Sequence, residues 1–136
     1  MVKTAVQPIK DNGCWFCFGG HAALITSTLS EVNSTFDFYG AGVATTRPGG
    51  GPPSLELLRK TSGKLTCIYE TGDPLIPQAD RTSIKNALSK GDPSQSRLSY
   101  VEIEDADNGF MFEQRASFNP NASALGWKLL MSELSF

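Results

Sequence analysis

The chain has few cysteines and no long apolar run, and both shortages exclude classes of protein. Only three of its 136 residues are cysteine, an odd and small number that argues against a secreted disulfide scaffold and predicts a reducing, cytoplasmic setting. No apolar stretch approaches the roughly 20 residues that a membrane helix needs. Residues 1–11 have no apolar core after their charges, which predicts no signal peptide. We therefore expect no membrane partner.

Charge is also scarce and nearly balanced. Twelve basic and 14 acidic residues give a net charge of −2, so no basic surface favours a nucleic acid partner. Hydrophobic residues make up 40% of the chain, which is typical of a globular protein, and 136 residues suit a single domain over 1–136. The glycine run at 49–51 lacks the lysine and the spacing of a phosphate-binding loop, and we expect no cofactor.

Strand patterns and helix patterns alternate along the chain. A strand leads into Cys17, further strands are predicted over 34–40, 64–70 and 97–105, and helices over 18–29, 54–60, 78–90 and 121–136. The alternation predicts a three-layer α/β domain with a short, mostly parallel sheet of about four strands. In the last helix we expect Asn121 to be the N-cap and Trp127 to be buried, together with the leucines at 125, 129, 130 and 134.

Parallel sheets bind ligands at the carboxyl ends of their strands, so the residues that follow each predicted strand are candidates for a site. These are Cys17, residues 40–44, Asp73 and Asn108. Cys17 stands between a strand and a helix in Phe-Cys-Phe-Gly-Gly (16–20), where small residues permit the sharp turn that presents a nucleophile. A helix N-terminus also stabilises a nearby thiolate. Asp73 would orient a histidine base, which should follow the fourth strand.

Three segments carry a resemblance to a known family. They are Trp-Phe-Cys-Phe-Gly-Gly-His (15–21), Gly-Asp-Pro-Leu-Ile-Pro (72–77) and Ala-Asp-Asn-Gly-Phe-Met (106–111). In order and spacing they resemble the dienelactone hydrolase family of α/β-hydrolases, from about Gly13 to the C-terminus. The resemblance implies the C-terminal half of an α/β-hydrolase, with a small ester or lactone as substrate. It implies that Cys17 is the nucleophile of a Cys-Asp-His triad, that Asp73 is its acid, and that the Phe18 N–H is one oxyanion donor.

Four departures from the family pattern bear on activity. The histidine position holds Asn108, whose amide cannot take a proton from a thiol and return it to a leaving group. Trp15 stands where the family has a small residue two positions before the nucleophile. Only 16 residues precede Cys17, so the family's earlier strands and second oxyanion donor are missing. No arginine follows Asn108 before Arg115, so the family's contacts to a substrate carboxylate do not carry over.

These departures predict a truncated hydrolase that is inactive or impaired, a pseudoenzyme with a degenerate triad. The strand before Cys17 would be an exposed sheet edge, and such edges pair with other chains. We expect a homodimer through this edge, a rearranged N-terminus that covers it, or poor solubility.

Alternatives remain for each of these residues. The protein could be a non-catalytic relic that binds a ligand or a partner chain. Cys14 and Cys17 form a C-x-x-C before a helix, the arrangement of a thiol redox protein, but no matching proline is evident. Zinc binding by these cysteines and His21 is disfavoured, because only three ligands are local. His21, the one histidine, lies a helical turn beyond Cys17 and is expected to be a packing residue. Cys17 could also be a core thiol, and Asp73 and Asn108 ordinary turn residues.

Overall fold

Strands and helices alternate along the whole described chain, as the sequence predicts. The computed structural model describes the backbone of residues 12–133 and the side chains of residues 16–133. The strands are β1 (Asn12–Phe16), β2 (Ser34–Phe38), β3 (Lys64–Glu70) and β4 (Leu98–Ile103). The α-helices are α1 (Phe18–Thr26), α2 (Gln78–Gly91) and α3 (Pro120–Glu133), and a 3₁₀ helix (Ser54–Lys60) lies between β2 and β3. None of these helices is long and apolar enough to cross a bilayer.

The four strands form one parallel sheet in the order β1-β2-β3-β4. The register places Cys14 beside Phe36, Phe36 beside Thr66, and Thr66 beside Ser99. The prediction of a short parallel sheet of about four strands is therefore confirmed. Because all strands run the same way, their carboxyl ends lie along one edge of the sheet, and the segments that follow them meet there.

Helices cover both faces of the sheet, which gives the predicted three layers. Side chains alternate along a strand, so Phe36, Phe38 and Ile68 face one side, while Asp37 and Tyr69 face the other. On the first side, α3 lies close enough for a Cβ on Gly126 to be 3.3 Å from the Phe38 ring. On the second side, α1 approaches Asp37 through Gly20, and α2 is joined to β4 by an ion pair between Arg81 and Glu102 (3.3 Å).

The first helix is shorter than predicted. It ends at Thr26, and Leu29, which was predicted to lie at the end of a buried helix, is 42% exposed. The hydroxyls of three consecutive residues explain the early end, since Thr26, Ser27 and Thr28 each donate to the carbonyl three residues before them. Such local bonds compete with the helical backbone bonds and favour a turn.

The last helix begins at a different cap from the one predicted. The side chain of Asn119 accepts hydrogen bonds from the N–H groups of Asn121 and Ala122, both at 3.1 Å. Asn121 is an exposed residue of the first turn, so its prediction as the N-cap is wrong. The asparagine two positions earlier is the residue that satisfies free N–H groups of the helix.

The buried face of α3 also differs from the prediction. It is built from small residues and one leucine: Ala122, Ser123, Gly126 and Leu130. Trp127 is 50% exposed and Leu125 is 39% exposed, so their prediction as core residues is wrong, while Leu129 is half-buried and Leu134 lies outside the described residues. The physical reason is the close approach of the helix to Phe38 and Met111, which leaves room for Gly126 but not for a large side chain.

The cap can be tested by two neighbouring substitutions. We expect Asn119→Ala to lower the free energy of unfolding by about 1 kcal/mol, because it removes the acceptor for two N–H groups. The matched control Asn121→Ala changes an exposed residue two positions away and should alter stability by less than about 0.5 kcal/mol. Urea unfolding followed by circular dichroism measures both, and equal losses in the two variants contradict the assignment.

Candidate active site at the carboxyl edge of the sheet

Cys17 occupies a strained turn between β1 and α1. Its backbone has φ 57° and ψ −125°, a conformation that residues other than glycine rarely adopt. The turn is held by a hydrogen bond from the Cys17 N–H to the Phe38 carbonyl (3.0 Å) and one from the Gly20 N–H to the Cys17 carbonyl (2.9 Å). The predicted sharp strand-to-helix turn is therefore present, with a half-buried cysteine at its tip.

Two glycines provide the space that this turn requires. A Cβ on Gly20 would overlap the Asp37 carboxylate and approach the Phe38 carbonyl to 2.5 Å. A Cβ on Gly40 would be 2.5 Å from the backbone nitrogen of His21. The turn thus depends on small residues three positions after Cys17 and in the loop after β2. The side chain of Trp15, which the sequence suggested would crowd the turn, lies outside the described side chains.

Asp37 supports this turn from beneath. It is completely buried in β2, and its two oxygens accept hydrogen bonds from the Gly40 N–H (2.9 Å) and the Tyr69 hydroxyl (2.6 Å). Burial raises its pKa to about 7, although both hydrogen bonds oppose the shift. Sequence analysis missed this residue. The signal was an acid inside an otherwise apolar and aromatic strand, Phe-Asp-Phe at 36–38.

Asp73 and Asn108 are brought together, as the order of the motifs predicted. Asp73 follows β3 and is 3% exposed. One of its oxygens accepts from the Leu75 N–H (2.7 Å), and the other accepts from the side-chain amide of Asn108 (2.9 Å). The two turns are also joined by the backbone, since the Gly72 N–H donates to the Ala106 carbonyl (3.0 Å).

The loop after β4 reaches back across the sheet toward Cys17. Phe112 packs edge-on against Phe16 at the end of β1, with ring centroids 5.5 Å apart, and Phe110 packs against Tyr39 at 5.4 Å. Cys17 and the Asp73–Asn108 pair therefore share one end of the sheet. Cys17 follows β1, and the pair follows β3 and β4, with β2 between. Among the described residues, the Cys17 thiol makes no hydrogen bond to Asp73 or Asn108.

His21 has a structural role, as predicted. It is 2% exposed, its Nδ1 lies 2.8 Å from the Ala41 carbonyl, and its Nε2 lies 2.7 Å from the Ser54 hydroxyl. A neutral ring that donates from Nδ1 and accepts at Nε2 satisfies both contacts, and burial lowers the pKa of the ring. Because both ring nitrogens are engaged in these contacts, neither is free to accept a proton from Cys17 or to bind zinc. No cluster suited to a metal ion occurs among the described side chains.

A third buried acid, Glu70, lies at the end of β3 that leads to Asp73. It is the last residue of β3 and is fully buried, yet neither carboxyl oxygen receives a hydrogen bond from another described residue. Burial raises its pKa to about 9, and the negative charges of Asp73, Asp107 and Asp37 add to the shift. Glu70 is therefore protonated at neutral pH. Its burial is not predicted from the sequence, because an acid at a strand end is usually exposed.

Comparisons with known proteins identify the family and the fold of the chain. Residues 8–135 match the model of the dienelactone hydrolase family. A Synechocystis sp. protein named "Putative carboxymethylenebutenolidase" is 36% identical over 123 residues, which are 90% of this chain and 49% of the relative. The chain thus spans about half the length of this curated relative.

Solved structures show the same fold at low sequence identity. The Klebsiella pneumoniae structure named "Putative Dienelactone Hydrolase" superposes with a TM-score of 0.79 and 19% identity, over 89% of this chain and 50% of that one. A dienelactone hydrolase-like promiscuous phosphotriesterase from metagenomic libraries superposes with a TM-score of 0.68 and 15% identity, over 89% and 49% of the two chains. At these identities the likeness establishes an α/β-hydrolase fold.

The buried acid Glu70, which accepts no hydrogen bond from another described residue, should give the fold an unusual dependence of stability on pH. Folding raises the pKa of Glu70 from 4.5 to about 9, so its contribution is most favourable below pH 4.5 and is lost as the pH rises toward 9. Glu70→Gln removes this titration. We expect the variant to match the parent near pH 5 and to exceed its free energy of unfolding by a few kcal/mol at pH 7 to 9, at about 1.4 kcal/mol per pKa unit.

Chemical denaturation at a series of pH values measures this difference. Asp37, whose pKa is raised to about 7, also lowers the free energy of unfolding as the pH rises, and the Glu70→Gln variant retains this effect. His21, whose pKa is lowered, destabilises the fold only as the pH falls below 6.5. Glu104→Gln, at an exposed acid after β4, is the matched control and should follow the parent curve. If Glu70→Gln also follows the parent curve, Glu70 is not a buried, protonated acid.

Proposed function

Because the chain belongs to the dienelactone hydrolase family, we propose that Cys17 is the nucleophile of a site for carboxylic esters or lactones in which proton transfer is disabled. The observation that carries the proposal is the Asn108–Asp73 hydrogen bond at the same end of the sheet as the Cys17 turn. The arrangement keeps the attacking sulfur and the acid, and it holds an amide where a base is required.

The expected chemistry is transfer of an acyl group to sulfur. The Cys17 sulfur attacks the carbonyl carbon, a carbon–sulfur bond forms, the carbon–oxygen bond breaks, and the alcohol oxygen leaves with the electron pair. The thiol proton passes to water. The Phe18 N–H is in the first turn of α1, where backbone N–H groups have no intrahelical acceptor, and it is suited to stabilise the developing oxyanion.

Release of the acyl group is the step that the site performs poorly. Hydrolysis of a thioester requires a base to activate water, and the amide of Asn108 has no basic atom. An Asn amide nitrogen and a His Nδ1 occupy equivalent places in their side chains, so Asn108 keeps the bond to Asp73. It lacks the outer ring nitrogen that would exchange a proton with the sulfur. The acyl-enzyme is therefore expected to accumulate.

A binding protein without turnover is the second candidate. Three large apolar side chains are exposed after β1, β3 and β4, at the edge that carries the site: Phe18 (67%), Leu75 (58%) and Phe112 (40%). Such a rim suits a small apolar ester or lactone, whether or not it reacts.

A free thiol at Cys17 also fits the proposed reducing, cytoplasmic setting. The Cys14–Cys17 redox hypothesis stays a prediction, because the Cys14 side chain lies outside the described residues.

A burst experiment tests the nucleophile. Mixed with excess 4-nitrophenyl acetate, the protein should release about one nitrophenolate per chain and then turn over slowly, because acylation of Cys17 outruns deacylation. Cys17→Ser should lose the burst. Cys67→Ala, at a buried cysteine of β3, should keep it. Peptide mass spectrometry should place the acetyl group on Cys17, and acylation elsewhere, or a burst that survives in Cys17→Ser, contradicts the proposal.

Restoring the base tests the remainder of the site. Asn108→His should raise the steady rate of ester hydrolysis by about 10²-fold or more, since a positioned general base contributes roughly 10²–10⁴-fold. Its rate should follow the ionisation of a histidine near pH 6.5. Asn33→His adds a histidine at an exposed residue beside the opposite end of β2 and is the matched control. Equal rates in the two variants would show that Asn108 does not occupy the base position.

A further inference from the structure

The buried carboxyl group of Asp37 lies against the first turn of α1, the helix that Cys17 precedes. A Cβ on Gly20, in this turn, would overlap the Asp37 Oδ1 atom, which also accepts the Gly40 N–H (2.9 Å). The Cys17 N–H donates to the carbonyl of Phe38, the residue after Asp37 (3.0 Å). Asp37 and Cys17 are therefore both packed between the start of α1 and the end of β2.

No opposite charge compensates Asp37 among the residues that the structure describes. Its two hydrogen-bond donors, the Gly40 N–H and the Tyr69 hydroxyl, are both neutral. The ion pairs of the described side chains are Lys64–Glu133 and Arg81–Glu102, and neither includes Asp37. Because Asp37 is completely buried, water screens its charge less than that of a surface carboxylate. An ionised Asp37 thus acts on charges that form at the neighbouring turn.

We propose that Asp37 is a positioning residue whose charge controls how fast the Cys17 thiol reacts. Attack places negative charge at the start of α1, first on the sulfur and then on the carbonyl oxygen of an ester near the Phe18 N–H. An ionised Asp37 repels this charge, whereas a neutral Asp37 does not. The inference rests on the proposed function, because it concerns the same nucleophile.

The charge of Asp37 changes near neutral pH, unlike that of the other buried titratable groups around it. Burial raises the pKa of Asp37 to about 7. Burial also raises the pKa of four neighbours on β3 and β4, which stay protonated at pH 7: Cys67, Tyr69, Glu70 and Tyr100. On α1, burial lowers the pKa of His21, so its ring is neutral at pH 7.

The expected signature is a flattened dependence of thiol reactivity on pH. The thiolate is the reactive form of a cysteine, so the rate of modification rises with pH. Around pH 7 the rise should be shallower than for an isolated thiol, because Asp37 becomes charged over the same range. Cys17 is half-buried, so water screens part of the repulsion, and we expect an effect of about threefold rather than a hundredfold.

Alkylation by N-ethylmaleimide gives the first test, with modified Cys17 separated from modified Cys14 by fragment-ion mass spectrometry. Asp37→Asn keeps an acceptor for the Gly40 N–H and removes the charge. The ratio of its rate constant to that of the parent should be near 1 at pH 6 and at least 2 at pH 8, since the ratio cancels the titration of the thiol itself. Glu31→Gln, at an exposed acid between α1 and β2, is the matched control and should give a ratio near 1 at both pH values.

A purely structural role for Asp37 gives a different result. If Asp37→Asn only disturbed the turn, the ratio would depart from 1 by the same factor at every pH. A ratio that does not change with pH therefore overturns the proposal, whatever its size. A ratio that falls as the pH rises overturns it as well, because the charge would then assist the reaction.

Tyr69→Phe gives a second test that keeps Asp37 in place. The Tyr69 hydroxyl donates to the carboxylate and opposes the rise in its pKa, so its removal should raise the pKa of Asp37 further. Asp37 then stays neutral to higher pH. The variant should react at least 1.5-fold faster than the parent at pH 7.5 and at the same rate at pH 6. Equal or slower reaction at pH 7.5 contradicts the proposal, even where Asp37→Asn fails to fold.

These tests separate the role of Asp37 from the ester chemistry, because alkylation requires no ester site. A pH-dependent ratio in a protein that gives no burst supports the role of Asp37 and contradicts the proposed function. A burst at Cys17 together with a constant ratio supports the nucleophile and overturns the role of Asp37.

Discussion

The close contact between α1 and the end of β2 is the constraint on which the site depends. Gly20 and Gly40 meet over the carboxyl group of Asp37, and no larger side chain fits at either position. This contact allows the Cys17 N–H to reach the Phe38 carbonyl, which closes the strained turn. The strain at Cys17 is maintained because the surrounding buried contacts offer the backbone no relaxed alternative. The position of Cys17 at the edge of the sheet is a consequence of this packing rather than of the cysteine itself.

Buried acids concentrate at the same end of the sheet, and they have different roles. Asp37 is paired by two hydrogen bonds and braces the turn. Asp73 is paired by the Leu75 N–H and the Asn108 amide and orients the residue after β4. Glu70 has no such partner and avoids the cost of a buried charge by remaining protonated. An uncompensated acid is costly in a core, so Glu70 makes the stability of the fold depend on pH.

Much of the architecture could be predicted because it depends on local patterns. The alternation of strand and helix signals gave the correct layers, and three short motifs placed Cys17, Asp73 and Asn108 at one edge.

The errors arise where tertiary contacts, rather than local patterns, determine which side chains are buried and where a helix begins. Trp127 fits a helical stripe, but the helix turns its smallest residues toward Phe38. The burial of Asp37 is suggested only by its aromatic neighbours and that of Glu70 by no local pattern, because an acid in a strand is buried or exposed according to what packs above it. The choice between Asn119 and Asn121 as the cap depends on where the chain leaves the preceding loop.

The exposed apolar flank of α3 follows from the way in which this helix packs on the sheet. A three-layer fold needs a helix over each part of each sheet face, and α3 contacts this face at Phe38 of β2. Trp127 and Met131 lie on a flank of this helix that does not face the sheet, and they are half-exposed although they are apolar. Exposed apolar side chains of this size are costly in water, and the flank carries them because the close contact at Gly126 reserves the inward-facing positions of the helix for small residues.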